Sequence, residues 1–169
     1  QGVSSAASDV YKRQVLDIIQ QMSLDNWKPD YVVGLTRGGL TPAVLVSQFL
    51  NIPCHTLRVC LRDHDDGGPE TNCWMSEDAY GYDGALPKNI LIIDDINDTG
   101  ATLDWIKSDW QGTCLPKDPK WDTIWGSNVR FAVLTHNLSS NSEVEYSCWE
   151  INKDEEDVWI VHPWEDFWK

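Results

Sequence analysis

Short apolar runs rich in β-branched residues alternate along the chain with segments of helical periodicity. The runs "YVVGL" (31–35), "NILII" (89–93) and "VRFAVLTH" (129–136) have the length and composition of buried strands. Each of the first two is followed by a glycine-bearing loop and then by apolar residues at helical spacing. Because strands that alternate with helices pair in parallel, the sequence predicts a three-layer α/β domain with a mostly parallel sheet.

The size and charge of the chain fit one domain and exclude several classes of partner. A chain of 169 residues can bury one sizeable core without needing a disulfide or a metal to hold it. Its 27 acidic and 13 basic residues give a net charge of -14, which disfavours binding to nucleic acid or to an anionic membrane surface. No apolar run approaches the ~20 residues that cross a bilayer. We therefore expect neither nucleic acid nor a membrane as a partner.

The cysteines predict a reducing environment. The chain has five of them at irregular spacings, with no C-x-x-C pair that would suggest a zinc site or a redox motif. An odd number without such a pattern is typical of reduced thiols, and hence of a cytoplasmic protein. The cysteines are Cys54, Cys60, Cys73, Cys114 and Cys148.

The first fourteen residues, "QGVSSAASDVYKRQ", are small and polar and fit no clear period. We expect residues 1–14 to be either a disordered terminus or a non-native leader of the kind that a translated adaptor sequence produces. From Val15 to Met22 the apolar residues recur at helical spacing. The functional domain is therefore expected to span residues 15–169.

The segment "ILIIDDINDTGATL" (90–103) joins an apolar strand to two adjacent carboxylates and then to a Thr-Gly-Ala-Thr turn. An unpaired buried carboxylate costs several kcal/mol, so Asp94 and Asp95 must face water, a metal or a polyol. The turn offers backbone N–H groups, two hydroxyls and the N-terminus of the next helix, which suit a phosphate. Phosphate on one side and a diol with a metal on the other describe a sugar phosphate.

This segment resembles the phosphoribosyl pyrophosphate (PRPP) motif of type I phosphoribosyltransferases, and similarity to that family extends over nearly all of residues 31–165. "GLTRGGLTPAVLVSQFLNIP" resembles the first glycine loop of the bacterial xanthine-guanine enzymes, and "RDHDD" falls where their mobile flap begins. "DVWIVHPWE" is similar to their closing segment. The resemblance implies the type I phosphoribosyltransferase fold, with a flap at about 61–87 and a small C-terminal hood at about 145–169.

The resemblance also implies a function in purine salvage. Such an enzyme transfers the 5-phosphoribosyl group from PRPP to a 6-oxopurine base (xanthine, guanine or hypoxanthine) and releases pyrophosphate, with Mg²⁺ as cofactor. Its expected partners are PRPP and the purine base, and its expected assembly is a homodimer or homotetramer.

Roles of individual residues follow from the same resemblance. Asp98 is implied as the catalytic residue beside the purine N7, and Asp95 as the metal ligand. Three groups of residues are implied to bind PRPP: Thr36, Arg37 and Gly38 at the pyrophosphate; Asp94 and Asp95 at the ribose hydroxyls; and Thr99, Gly100, Ala101 and Thr102 at the 5′-phosphate. The resemblance also implies a cis peptide before Arg37. The residues implied to bind the base are Asn137, Trp159 and Ile160.

Three departures from the family pattern bear on the substrate. The family's lysine after the penultimate core strand, which donates to the purine O6, is Asn137 here. The Ser-Tyr pair of the flap is Leu61-Arg62, and an insertion spans about 111–127. Two alternatives stay open: a protein that senses PRPP or a nucleotide without turnover, and a phosphoribosyltransferase for another heterocyclic base.

Overall fold

The computed structural model describes residues 3–59, 61 and 69–155, with residues 3–8 described as backbone only. Its strands lie side by side in the order β2-β1-β3-β4-β5, and every neighbouring pair is parallel. The predicted α/β class with a parallel sheet is therefore confirmed. In chain order the strands are β1 (Tyr31–Thr36), β2 (Cys54–Arg58), β3 (Ile90–Asn97), β4 (Val129–Asn137) and β5 (Tyr146–Ile151).

Helices cover both faces of this sheet. The α-helices of the described part are α1 (Val3–Leu24), α2 (Leu40–Leu50), α3 (Cys73–Tyr80), α4 (Ala101–Thr113) and α5 (Trp121–Ile124), with a 3₁₀ turn at Tyr82–Gly84. Leu91 and Ile93 of β3 pack in the apolar layer formed with α1 and α2, whereas Ile90 and Ile92 pack with α3, α4 and α5. Alternate side chains of a strand point to opposite faces of the sheet. A strand that is covered by helices on both faces is therefore apolar along its whole length.

The strand order reverses between β1 and β3. From β1 the chain crosses to β2 on one side, and from β2 it crosses back over β1 to β3 on the other. In parallel α/β sheets, ligands bind beyond the carboxyl ends of the strands at such a reversal. The loop after β1 begins at Arg37 and the turn after β3 begins at Asp98, so the two predicted substrate loops flank this position.

The N-terminal helix corrects the expectation for residues 1–14. Helix α1 begins at Val3, and Tyr11 is 7% exposed within the layer that α1 forms with the sheet. Tyr11, Val15, Ile18 and Met22 follow helical spacing, so the period that begins at Val15 extends one turn further back. A disordered terminus is therefore wrong for this part of the segment, while a non-native origin stays a prediction.

The predicted flap and the insertion at 111–127 both contain helices that complete the core. Helix α3 occupies the middle of the predicted flap, and its Met75 and Ala79 are buried one helical turn apart. Helix α5 lies within the 111–127 insertion, and the Trp121 indole N–H donates to the Cys114 carbonyl at 2.9 Å. The Trp121 and Trp125 rings stack with centroids 5.6 Å apart. Both segments thus cover the face of the sheet that α4 also covers.

The first part of the expected hood is a strand of the sheet, because β5 (Tyr146–Ile151) pairs with β4. The rest of the hood beyond residue 155 lies outside the described residues, and so does the flap between residues 62 and 68. None of the described helices has the length and apolar content needed to cross a membrane.

Candidate active site

Two adjacent carboxylates mark the end of the central strand β3. Ile93 is fully buried, whereas Asp94 and Asp95 are partly exposed at the carboxyl edge of the sheet. The Asp95 N–H donates to Asp94 Oδ1 at 2.9 Å, which fixes the orientation of the Asp94 carboxyl group. Burial, reinforced by the negative charge of Asp95, raises the pKa of Asp94 well above its ordinary value. Such a pair favours a cation or a set of hydroxyl donors beside it.

The glycine loop after β1 packs directly against this pair. A Cβ atom on Gly38 would lie 1.9 Å from Asp95 Oδ2, and one on Gly39 would lie 2.2 Å from the Ile93 carbonyl oxygen. Only glycine fits at position 39, where the clashing atoms are backbone, whereas a side chain at position 38 would displace the Asp95 carboxylate. The peptide between Thr36 and Arg37 is cis, as the resemblance implied. The structure therefore brings the predicted pyrophosphate loop and the predicted ribose-binding acids together.

The Thr-Gly-Ala-Thr turn leads into the N-terminus of α4. Gly100 has a φ of 88°, a conformation that favours glycine, and the helix starts at the next residue. The Ala101 N–H lies 3.4 Å from Thr99 Oγ1. Backbone N–H groups at the start of a helix are available to an anion, and the helix dipole favours negative charge there. This geometry suits the phosphate-binding role predicted for the turn.

The loop between β4 and β5 supports this turn from behind. A Cβ atom on Gly100 would lie 2.7 Å from the Ser142 N atom, and the Asn141 N–H donates to the Thr99 carbonyl at 3.2 Å. The buried Asn97 amide donates to the Ser142 carbonyl at 2.6 Å and accepts from Ser140 Oγ at 3.1 Å. These supporting residues were missed in the sequence because their partners lie more than forty positions away.

One cavity of about 490 Å³ connects Asp94, the phosphate loop and the start of the flap. This volume falls in the range of roughly 300–1,000 Å³ that small-molecule sites occupy. Asp98 lines the cavity with the Thr-Gly-Ala-Thr turn and with Val59 and Leu61 from beyond β2. The remaining lining residues are Asp94, Ile96, Asn97 and Leu103.

Asp98 is held by two side chains from other elements. The Asn137 amide donates to the Asp98 carbonyl at 3.0 Å and to Asp98 Oδ1 at 3.3 Å. The Lys153 ammonium lies 2.9 Å from Asp98 Oδ2. Asn137 is only 4% exposed, and its oxygen accepts from Ser139 and from the Lys153 backbone N–H. Lys153 was missed in the sequence, although a lysine two residues after β5, in "INKDEED", was a signal in so acidic a chain.

The structure does not test the three contacts that were predicted for the base. The role of Asn137 at the base stays a prediction, and its hydrogen bonds add a second role, that of orienting Asp98. Trp159 and Ile160 lie outside the described residues. Among the described residues, no cluster of three or more His, Cys, Asp and Glu side chains could hold a metal by itself.

Comparison with known proteins assigns the family. The family model described as "Phosphoribosyl transferase domain" matches residues 7–167 of the chain. The chain belongs to this family. The resemblance to type I phosphoribosyltransferases and the predicted fold are thereby confirmed, as is the class of enzyme, a phosphoribosyltransferase.

Several similar proteins carry the names of purine phosphoribosyltransferases. The xanthine-guanine phosphoribosyltransferase of Cereibacter sphaeroides is 30% identical over 84% of this chain and 75% of its own. The protein of the same name from Desulfotalea psychrophila is 26% identical over 94% of this chain and 90% of its own. The crystal structure of a purine phosphoribosyltransferase from Pyrococcus horikoshii covers 93% of this chain and 90% of its own at 24% identity, with a TM-score of 0.63.

Proposed function

We propose that this phosphoribosyltransferase transfers the 5-phosphoribosyl group from PRPP to a 6-oxopurine base in purine salvage, with release of pyrophosphate. The packing of Gly38 against Asp95 carries the proposal, because it joins the pyrophosphate loop to the acids that face the ribose. The phosphate loop opens into the same cavity as Asp94 and Asp98. The names of the xanthine-guanine relatives support a 6-oxopurine as the base.

Each part of PRPP has a matching group in the site. Thr99, Gly100, Ala101 and Thr102 receive the 5′-phosphate at the start of α4, where backbone N–H groups are available. Asp94 and Asp95 accept hydrogen bonds from the ribose hydroxyls, which are charge-assisted and therefore strong. Thr36, Arg37 and Gly38 bind the pyrophosphate, and Arg37 supplies the positive charge that this group needs in a strongly acidic chain.

The acids also fit a magnesium ion. Mg²⁺ prefers hard oxygen ligands and usually keeps waters and substrate oxygens beside one or two carboxylates, and Asp95 with Asp94 offers such a pair. Burial and the neighbouring Asp95 carboxylate both raise the pKa of Asp94, and a cation beside the pair would oppose both effects. When bound, Mg²⁺ would neutralise charge that develops on the departing pyrophosphate.

The reaction requires stabilisation of charge on both sides of the anomeric carbon. As the bond from this carbon to the pyrophosphate oxygen breaks, positive charge builds on the ribose ring, where Asp94 and Asp95 stabilise it through the hydroxyls. Arg37 stabilises the pyrophosphate, which leaves with the electron pair. A ring nitrogen of the base then bonds to the same carbon, and Asp98 accepts the proton that the base loses. Trp159 stacks on the base, and the backbone near Ile160 accepts from an exocyclic amine.

The test is incubation with PRPP, Mg²⁺ and a panel of bases (xanthine, guanine, hypoxanthine, adenine and orotate) while pyrophosphate is measured. We expect turnover with at least one 6-oxopurine and little with adenine or orotate. Turnover only with another base would support the alternative phosphoribosyltransferase. Binding of PRPP without turnover of any base would support the sensing protein and would contradict the proposed function.

Two further parts of the proposal concern the protein in the cell. We propose a cytoplasmic location and assembly as a homodimer or homotetramer. Light scattering after size-exclusion chromatography tests the assembly, and a monomer at all concentrations would contradict it.

A further inference from the structure

Lys153 places a positive charge beside the carboxylate that faces the base. It lies two residues after the end of β5, and its Nζ lies 2.9 Å from Asp98 Oδ2. The Lys153 side chain is 27% exposed and that of Asp98 is 31% exposed, so both groups remain within reach of a ligand. An ion pair at this level of exposure contributes little to folding. Stability alone therefore gives a weak reason for a cation at this position.

Asn137 fixes both members of this pair. Its amide group donates to the Asp98 carbonyl and carboxylate, while its oxygen accepts the Lys153 backbone N–H at 3.1 Å. The Leu138 N–H donates to the Ile151 carbonyl at 2.8 Å, which ties the ends of β4 and β5 together next to this contact. The lysine that the family carries after the penultimate strand is absent, but the amide in its place anchors the segment that carries Lys153.

We infer that Lys153 is a specificity-determining residue that selects a base with a hydrogen-bond acceptor at the 6-position. The inference rests on the proposed function. An ammonium group has three N–H donors and no acceptor, and Asp98 takes one of the three. A 6-oxo group can accept a second donor, whereas a 6-amino group would place donor against donor. Lys153 thus supplies from β5 the charge that Asn137 cannot.

The inference is tested with two nucleotides that differ at the 6-position, inosine 5′-monophosphate and adenosine 5′-monophosphate. Their dissociation constants are measured by calorimetry for the wild type, for Lys153→Met and for a control, Lys12→Met. Met matches the length of the lysine stem without its charge, and Lys12 is an exposed residue of α1. Thermal unfolding of each variant shows whether it is folded.

We expect the wild type to bind inosine monophosphate ~10-fold or more tightly than adenosine monophosphate, because a charged hydrogen bond is lost with the latter. Lys153→Met should bring the ratio of the two dissociation constants close to one, because it weakens the binding of inosine monophosphate. Lys12→Met should leave this ratio unchanged. Lys153→Arg should retain part of it, since it restores a donor with the same charge.

Three results would overturn the inference. These are a wild type that does not bind inosine monophosphate, a wild type that binds both nucleotides equally tightly, and a Lys153→Met variant with an unchanged ratio, even if both of its affinities fall by the same factor. Pyrophosphate release is measured separately with PRPP and each of xanthine, guanine and hypoxanthine. If nucleotide discrimination depends on Lys153 but no pyrophosphate forms, the proposed function fails while the inference holds. If pyrophosphate forms but the ratio does not depend on Lys153, the inference alone fails.

Discussion

Gly38 and Asp95 lie so close together that a single methyl group on the glycine would fall 1.9 Å from a carboxylate oxygen. The contact joins the loop after β1 to the end of β3, the two strands between which the sheet order reverses. No side chain can be added at Gly38 unless the Asp95 carboxylate moves. The arrangement of the site is therefore sensitive to a substitution that leaves its charges unchanged.

Gly38→Ala should lower kcat/KM for PRPP by about 10²-fold, because a displacement of ~1 Å in a reacting group can cost that much. The matched control is Gly112→Ala in α4, where an added Cβ meets no atom within 4 Å. An alanine in a helix is favoured over glycine by about 0.5–1 kcal/mol, so the control should be at least as stable as the wild type. Steady-state kinetics and thermal unfolding measure both effects. Equal activity of the two variants would contradict the role of the contact.

Asp94→Asn should stabilise the ligand-free protein while lowering its activity. Because the pKa of Asp94 is raised in the folded state, this group contributes stability at low pH, and the contribution is lost as the pH rises through the folded-state pKa. The amide can still accept from the Asp95 N–H without the charge. We expect a gain of about 0.5–2 kcal/mol near neutral pH, which corresponds to roughly 1–8 °C in Tm.

Thermal unfolding between about pH 4 and pH 8 measures this gain. The gain should be present at the upper end of the range and should shrink toward the lower end, where the wild-type carboxyl group is protonated. Asp122→Asn, which alters an exposed carboxylate of α5, serves as the control and should show no such dependence. A variant of Asp94 that is less stable than the wild type near pH 8 would show that the pair is compensated in the folded chain.

Asp98→Asn should reduce turnover by about 10²-fold or more, the usual scale for a general base, while PRPP binding is largely retained. The amide fills the same space and can still accept from Asn137, but it cannot take a proton from the base. Single-turnover kinetics with the best base separate the chemical step from binding. Unchanged turnover would remove Asp98 from the mechanism.

The thiols should differ strongly in their reactivity. Burial, with a smaller effect from Asp17, raises the pKa of Cys148 to about 12, and its Sγ lies 3.1 Å from the Gln14 carbonyl oxygen. Burial also raises the pKa of Cys54 and Cys114, whereas Cys73 is exposed. Since the thiolate is the reactive form, iodoacetamide at about pH 8 should label Cys73 well before these three in a Cys60→Ser background. Mass spectrometry of the peptides measures the order in which the cysteines are labelled. Early labelling of Cys148 would contradict the prediction.

The parts of the site that could be predicted are those that the chain forms locally. Asp94, Asp95 and the Thr-Gly-Ala-Thr turn follow one another, so a strand, a turn and a helix place them without help from distant residues. Lys153 could not be placed in this way, because it meets Asp98 only when β5 pairs with β4 across the sheet. Local patterns carry no information on such a pairing.

The errors in the fold have a related cause. Tyr11 belongs to the same helical face as Val15, but small and polar neighbours conceal the period in the first fourteen residues. Helix α3 has only eight residues, and it is stabilised by burial of Met75 and Ala79 rather than by its own propensity. Tertiary packing decides both cases.

The stacked tryptophans of the insertion give the protein a built-in optical probe. The Trp125 ring lies 5.6 Å from that of Trp121 and 5.9 Å from that of Trp110, all on the face of the sheet that carries α4 and α5. Indoles this close couple their electronic transitions, so the native protein should show a strong near-ultraviolet circular dichroism band. None of the three lines the substrate cavity, so the band should follow assembly of this helical layer while remaining insensitive to PRPP.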